Sequence, residues 1–262
     1  MKLSATLSSA TKLAPLREQY RAEMACQVIH DSIHNRAGWT KSYLLSVDGA
    51  PAGFAELAIA GPWKEQPTLI EFFVVPVQRG HVFRLFETLV AASGARRLET
   101  QTNGTLLAHL LPLWSKDFSS EKILFRDVFV TSLAIPGTVL RRTTSDEETQ
   151  AAMARRSGGC ECALEFHGKI VGTGGILFHY NVPYGDLHME IAEPHRRRGL
   201  GAFFVQELKR LAYELGAKPG ARCSPTNVAS RMTLQKAGFV PCGHMISGSI
   251  SPELTPRADR SR

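Results

Sequence analysis

Apolar and polar residues alternate in two separate stretches of this chain, and the two stretches are built alike. One is Ser42-Tyr-Leu-Leu-Ser-Val-Asp-Gly-Ala-Pro-Ala-Gly53; the other is Ala163-Leu-Glu-Phe-His-Gly-Lys-Ile-Val-Gly172. Period-two alternation marks a half-buried strand. Asp48-Gly49 and His167-Gly168 supply the positive φ of a tight hairpin turn, so each stretch predicts two antiparallel strands.

The likeness continues downstream. Gly49 to Gly53 is four residues, as is Gly168 to Gly172, and eighteen more lead to Glu71 in one copy and Glu190 in the other. Both glutamates lie in strand-like runs, Leu69 to Val75 and Leu187 to Ala192, that end near Pro76 and Pro194. An arginine-containing turn follows each run, then an amphipathic helix. Val82, Leu85, Phe86 and Leu89 form the apolar stripe of the first helix; Phe204, Leu208, Leu211 and Leu215 form that of the second. Gly94 and Gly216 stand where these helices should stop, and Thr102-Asn103 and Thr226-Asn227 open further helical stretches. A repeated order of elements means a repeated structural unit. The expected fold is α+β, in two domains of similar plan: residues 1–134, residues 135–250, and a disordered polar tail over 251–262. Met1 to Pro15 reads as a mobile leader without the apolar run of a secretory signal.

Composition adds limits. The 262 residues are 44% hydrophobic and 21% charged, which suits a globular protein with a real core, and no apolar run is long enough to span a bilayer. The formal charge of +7 suits an anionic partner, either a polyphosphate-bearing cofactor or a nucleic acid. Five cysteines, with only Cys160-Glu161-Cys162 close together, read as reduced thiols of a cytoplasmic protein, and no metal is expected. His30 and His34 are one helical turn apart, but nothing nearby completes a metal site, so they read as the surface of a helix.

The sharpest chemistry lies in Glu190-Ile-Ala-Glu-Pro-His-Arg-Arg-Arg-Gly-Leu-Gly-Ala202. A strand runs into a basic turn and then a helix. Gly199 and Gly201 keep side chains away, so backbone N–H groups can face an anion beside three arginines and a helix N-terminus. Arg196-Arg197-Arg198-Gly199-Leu200-Gly201 resembles the coenzyme A signature of the GNAT N-acetyltransferases, Arg/Gln-x-x-Gly-x-Gly/Ala. Asn227-Val-Ala-Ser230 and Leu234-Gln-Lys-Ala-Gly238-Phe239 resemble that superfamily's Asn-x-x-Ala/Ser … Gly-Phe segment. The resemblance is close over Val139 to Ile250 and rests on spacing alone over Tyr20 to Val130, so the expectation is tandem GNAT-like domains with a degenerate first copy.

The resemblance implies acetyl-coenzyme A as co-substrate and an amine as acceptor, in each domain a mixed, mostly antiparallel twisted sheet flanked by helices. It places the cofactor on Arg196, Arg197, Arg198, Gly199, Leu200, Gly201 and Ala202, on backbone groups of Ile191 and Ala192, and on Asn227 and Ser230. Side-chain alternation puts His188 and Glu190 on one strand face; Glu190 is the first choice of general base and His188 the second. Tyr184, with His179 and Tyr180, precedes that strand, where acceptors approach in such enzymes. The superfamily's usual acid, a tyrosine, is here Leu234; Tyr184, Ser230 and Cys223 are the substitutes. In the first copy the turn is Gln78-Arg79-Gly80-His81-Val82-Phe83, where bulky Val82 and Phe83 obstruct a phosphate. Its Glu71 and Asn103 then read as structural. Three functions compete: an N-acetyltransferase acting on a small-molecule or peptide amine, a non-catalytic acyl-coenzyme A sensor, and, from charge alone, a nucleic-acid-associated protein. Nucleic acid and membrane are not expected as partners, and a homodimer is left open as an assembly.

Overall fold

Both hairpins form, and both turn through two residues of positive φ: Asp48 and Gly49 at 48° and 83°, His167 and Gly168 at 48° and 77°. The computed structural model describes residues 1–251. Its elements are, in order, β1 (Leu3–Ser8), α1 (Ala10–Met24), β2 (Thr40–Val47), β3 (Ala50–Ala58), β4 (Thr68–Val74), α2 (Val82–Ser93), β5 (Arg97–Gln101), α3 (Thr105–Trp114) and β6 (Ser115–Asp127). There follow β7 (Thr138–Arg142), α4 (Asp146–Arg155), β8 (Gly159–Phe166), β9 (Lys169–Leu177), β10 (Tyr184–Ile191), α5 (Leu200–Glu214), β11 (Lys218–Cys223), α6 (Val228–Lys236) and β12 (Phe239–Ile250). The helix ends fall where the glycines put them: Gly94 caps α2 in the left-handed region, and Gly216 follows α5 with φ 74°.

The chain folds as two units, each a mostly antiparallel sheet with helices. One comprises residues 1–26, 33–121 and the described residues from His244; the other comprises 27–32 and 122–243. Within the first the strand order is β1-β2-β3-β4-β5-β12, and within the second β7-β8-β9-β10-β11-β6. The repeat read from spacing is therefore visible strand by strand, with one difference. The sixth strand of the first unit is the last strand of the chain, pairing Met245–Ser249 with Gln101–Arg97. The sixth strand of the second is the latter part of β6, pairing Ile123–Arg126 with Cys223–Gly220. The units are thus not continuous stretches meeting at residues 134 and 135. Strand pairing sets membership, and it draws Lys122–Asp127 to one sheet and the end of β12 to the other. Each sheet buries its own core: Leu45, Phe72, Phe86, Leu98 and Trp114 in the first, Leu164, Ile176, Leu187, Phe204 and Phe239 in the second.

Several expectations change. Met1 to Pro15 is no leader. Leu3–Ser8 pairs with Val47–Ser42, Leu3 and Ala5 pack on the core, and Ser9 caps α1. The short Leu3-Ser-Ala-Thr-Leu7 alternation is a strand because β2 offers it an edge. His30 and His34 do not lie on a surface helix either. His30 is buried, and the side chain of His34, in a short 3-10 segment, is 1% exposed, with Nε2 3.1 Å from Glu71 and Nδ1 3.4 Å from Glu56. Burial opposes charge on this ring, but the Glu71 charge and the hydrogen bonds of Glu56 and Glu71 prevail and raise its pKa to about 9.

The pairing of Glu71 with Glu190 also fails. Gly172 faces Ile191, so Glu190 faces Thr173, one residue beyond that glycine. Gly53 faces Val74, so the first unit's counterpart of Glu190 is Phe73, and Glu71 matches His188. Of the expected tail, Ser251 is buried with its N–H on Trp114 O; residues 252–262 lie outside the described residues.

Candidate active site

Strands β10 and β11 run parallel but stay paired only from Tyr184–Lys218 to Asp186–Gly220. Beyond that point β10 remains on β9 while β11 turns to β6, and the two part. Ala192 N–H donates to Val171 O, so the even-numbered residues of β10 bond to β9. By alternation Leu187, Met189 and Ile191 aim their N–H and C=O groups into the gap. A cavity of about 300 Å³ occupies it, walled by Leu187, Met189, Val205, Leu208 and Leu234, with Asp186, His188, Arg222 and Ser230 also facing it. Apolar walls with a few directed polar groups suit a slender chain carrying amides.

At the far end of β10 the basic turn is held by Arg196, whose Nε donates to Ile191 O at 2.8 Å and whose terminal nitrogen meets Glu190 at 3.1 Å. Arg197 and Gly199 take φ of 61° and 80°, and α5 starts at Leu200 with no side-chain cap. Its first N–H groups therefore have no intrahelical acceptor, and the helix dipole adds positive potential there. Arg197 and Arg198 are exposed. A Cβ on Gly201 would stand 3.3 Å from both Met189 and Thr233, so glycine lets α5 lie directly against β10 and α6. Lys236 Nζ comes within 3.9 Å of where a Cβ of Gly199 would be. This fourth cation went unread in the sequence, although it sits in the quoted Leu234 to Phe239 segment.

The remaining expected residues divide. Ala192 offers no free backbone group, because its carbonyl accepts from His195 N while its N–H is on Val171. Asn227 caps α6, its Oδ1 accepting from Ser230 N at 2.9 Å, and Ser230 reaches the cavity. Leu234 is buried in the core and forms part of the cavity wall. Tyr184, Asp186, His188 and Glu190 share one strand face. Glu190 is 76% exposed and paired with Arg196, at the turn end of the strand. His188 faces the cavity, its Nε2 3.6 Å from Glu161 across the side-chain-free Gly175. Tyr184 opens the strand, its N–H on Asn181 O. The residue passed over is Asp186, 5% exposed, with Oδ2 3.2 Å from His179 Nε2 and 3.4 Å from Arg222 Nε. Tyr180 is fully buried beside it; burial first, then the Asp186 charge, raises its phenol well above the ordinary range. Cys160 and Cys162 face the core; the hydrogen bond between them lowers Cys160 to about 6, with Arg142 adding to it against burial.

Parted parallel strands, outward amides and a cationic helix start define an acyl-coenzyme A-dependent acyltransferase architecture. Residues 128–239 match the model of the Acetyltransferase (GNAT) family, and this segment is a GNAT acetyltransferase domain, whose reaction is acyl transfer from acyl-coenzyme A. Among solved structures the chain is similar to a GNAT-family acetyltransferase from Colwellia psychrerythraea, at 14% identity and TM-score 0.67, over 96% of this chain and 100% of that one. It is similar also to a tandem GNAT protein from the clavulanic acid biosynthesis pathway, at 14% identity and TM-score 0.60, over 96% and 99% of the chains. A GCN5-related N-acetyltransferase from Sphaerobacter thermophilus gives 14% identity and TM-score 0.57 over 95% and 96%. No curated protein matches. Among the described residues no helix is long and apolar enough to cross a membrane.

Proposed function

We propose that the second unit transfers an acetyl group from acetyl-coenzyme A to a primary amine, and that the first unit is a copy that binds none. The observation that carries this is the open gap between β10 and β11 leading to a cationic turn. The residues fit the group by chemistry. Arg197, Arg198, Lys236 and the first N–H groups of α5 would hold its phosphates. Met189 and Ile191 would pair with its amides, and Val205, Leu208 and Leu234 would pack its alkyl parts. Bound there, acetyl-coenzyme A would supply the acetyl thioester. His188 stands at the cavity to relay a proton; Glu190, tied to Arg196, is set for holding the turn. A cytoplasmic setting goes with the five free cysteines.

Titration calorimetry with acetyl-coenzyme A tests this. One site per chain is expected, lost in Gly201→Trp and kept in Gly80→Trp; two equivalent sites, or none, would sink it. Leu234 favours a second reading, a non-catalytic acyl-coenzyme A sensor, since leucine cannot protonate a departing thiolate. Binding without turnover of any amine would select the sensor.

A further inference from the structure

The strongest unexplained feature of the second unit is the buried carboxylate of Asp186 at the end of the cavity. Its Oδ2 faces His179 and Arg222, whereas Oδ1 meets no well-aligned donor, although the buried hydroxyl of Tyr180 interacts with this carboxylate. A carboxylate oxygen takes more than one donor, so Oδ1 has room for one that arrives from outside.

Its place in the fold says which donor. Asp186 pairs with Gly220 as the last couple before the strands part, and it faces the cavity. From Ile191, beside the cationic turn, to Asp186 is five residues, or about 17 Å of strand. That is the order of length of an extended pantetheine arm, so an acyl group carried by such an arm would end near Asp186, with Glu190 at the phosphate end. The opposite approach is narrow. Gln27 lies 3.2 Å from where a Cβ of Gly220 would be, on the face that Asp186 shares, with its Nε2 on Phe125 O. Val28 N–H is held by Asn181, so the buried stretch from Gln27 roofs this end of the strand.

We propose that Asp186 is the catalytic residue that receives the acceptor, and that the acceptor is a primary amine on a slender chain. This rests on the acyl-transfer reading above. The acceptor's ammonium donates to Oδ1 and gives it one proton. The freed nitrogen forms a bond to the acyl carbon as the carbon–sulfur bond breaks, and the second nitrogen proton ends on the departing sulfur as thiol. His179 and Arg222 are positioning residues that fix the carboxylate through Oδ2.

The test is kcat/KM with acetyl-coenzyme A and putrescine, tyramine or a folded lysine-bearing protein, alongside the Kd for acetyl-coenzyme A. Asp186→Asn should lower kcat/KM for the small amines by ~10²–10⁴-fold with Kd within about twofold. Asp186→Glu keeps the charge facing His179 and Arg222, so it should fold and lose less. Wild-type rates in Asp186→Asn, the main loss in His188→Gln, or preference for the folded protein would each overturn the proposal. So would wild-type protein that binds acetyl-coenzyme A yet acetylates neither small amine. Failure of the wild type to bind acetyl-coenzyme A would instead remove the acyl-transfer reading beneath it.

Discussion

In the first unit Arg79 Nε donates to Val74 O at 3.2 Å, and in the second Arg196 Nε donates to Ile191 O at 2.8 Å, five residues apart in both. From this shared tether the units diverge. Arg79 goes on to pair with Glu23, while Arg197 and Arg198 next to Arg196 stay exposed. The register match sets Phe72 opposite Ala55 where the second unit has Met189 opposite Gly174. Phe72 and Phe86 meet edge to face at 5.3 Å, and Phe86 meets Trp114 at 5.5 Å. A position that walls the cavity in one unit thus carries, in the other, an aromatic ring packed against further rings. One scaffold can be spent on a site or on a core, and two or three side chains in the wedge decide which.

If that is right, removing the filler should be costly. Phe86→Ala is expected to destabilise by ~3–5 kcal/mol in urea denaturation, as truncation of a packed aromatic does. Conversely, Val205→Phe should put an aromatic filler into the second unit's cavity wall. Acetyl-coenzyme A affinity is expected to fall by ~100-fold, or about 3 kcal/mol, by calorimetry, with the fold kept. Unchanged affinity would break the comparison.

His34 sharpens it from another side, since Glu56 and Glu71 bury their charges on it where the second unit has Gly175 and His188. A folded-state pKa raised from 6.5 to about 9 gives stability that is full below the unfolded value and lost as pH rises through 9. Stability should therefore fall by at most about 3 kcal/mol from pH ~6 to pH ~10, and His34→Gln should flatten that dependence. Leu234→Tyr should cost about 1–3 kcal/mol, read as a lower melting temperature, because its hydroxyl enters an apolar wall. A faster enzyme with unchanged melting would show instead that an acid was wanted there. Smallest of all, Glu190→Gln should change kcat/KM by less than about fivefold, since an exposed ion pair is worth about 0–1 kcal/mol.

Local signals carried the elements. The positive-φ turns, the helix stripes and the glycine stops each act within a few residues, so they are readable without the fold. The cationic turn was legible for the same reason. Equal counts misled at Glu71: the first unit is two residues longer between Gly53 and Val74 than the second between Gly172 and Ile191, so eighteen residues from the glycine end at different places on the two strands. His34 looked exposed because Glu56 and Glu71 come from strands far along the chain. Asp186 was passed over because His179, Arg222 and the loss of pairing at Gly220 define it, and none of these is a sequence pattern.

The exchanged sixth strands have a consequence for how the protein is made. Everything needed by the second unit has been synthesised once Gly243 has emerged, but the first unit, begun at residue 1, still lacks the strand that pairs with Arg97–Gln101. Ribosomes release chains at roughly 5–20 residues per second, so that edge waits on the order of ten seconds for its partner. During that interval β5 offers unpaired backbone groups to any neighbouring strand. Truncating the gene before His244 would make this waiting state permanent.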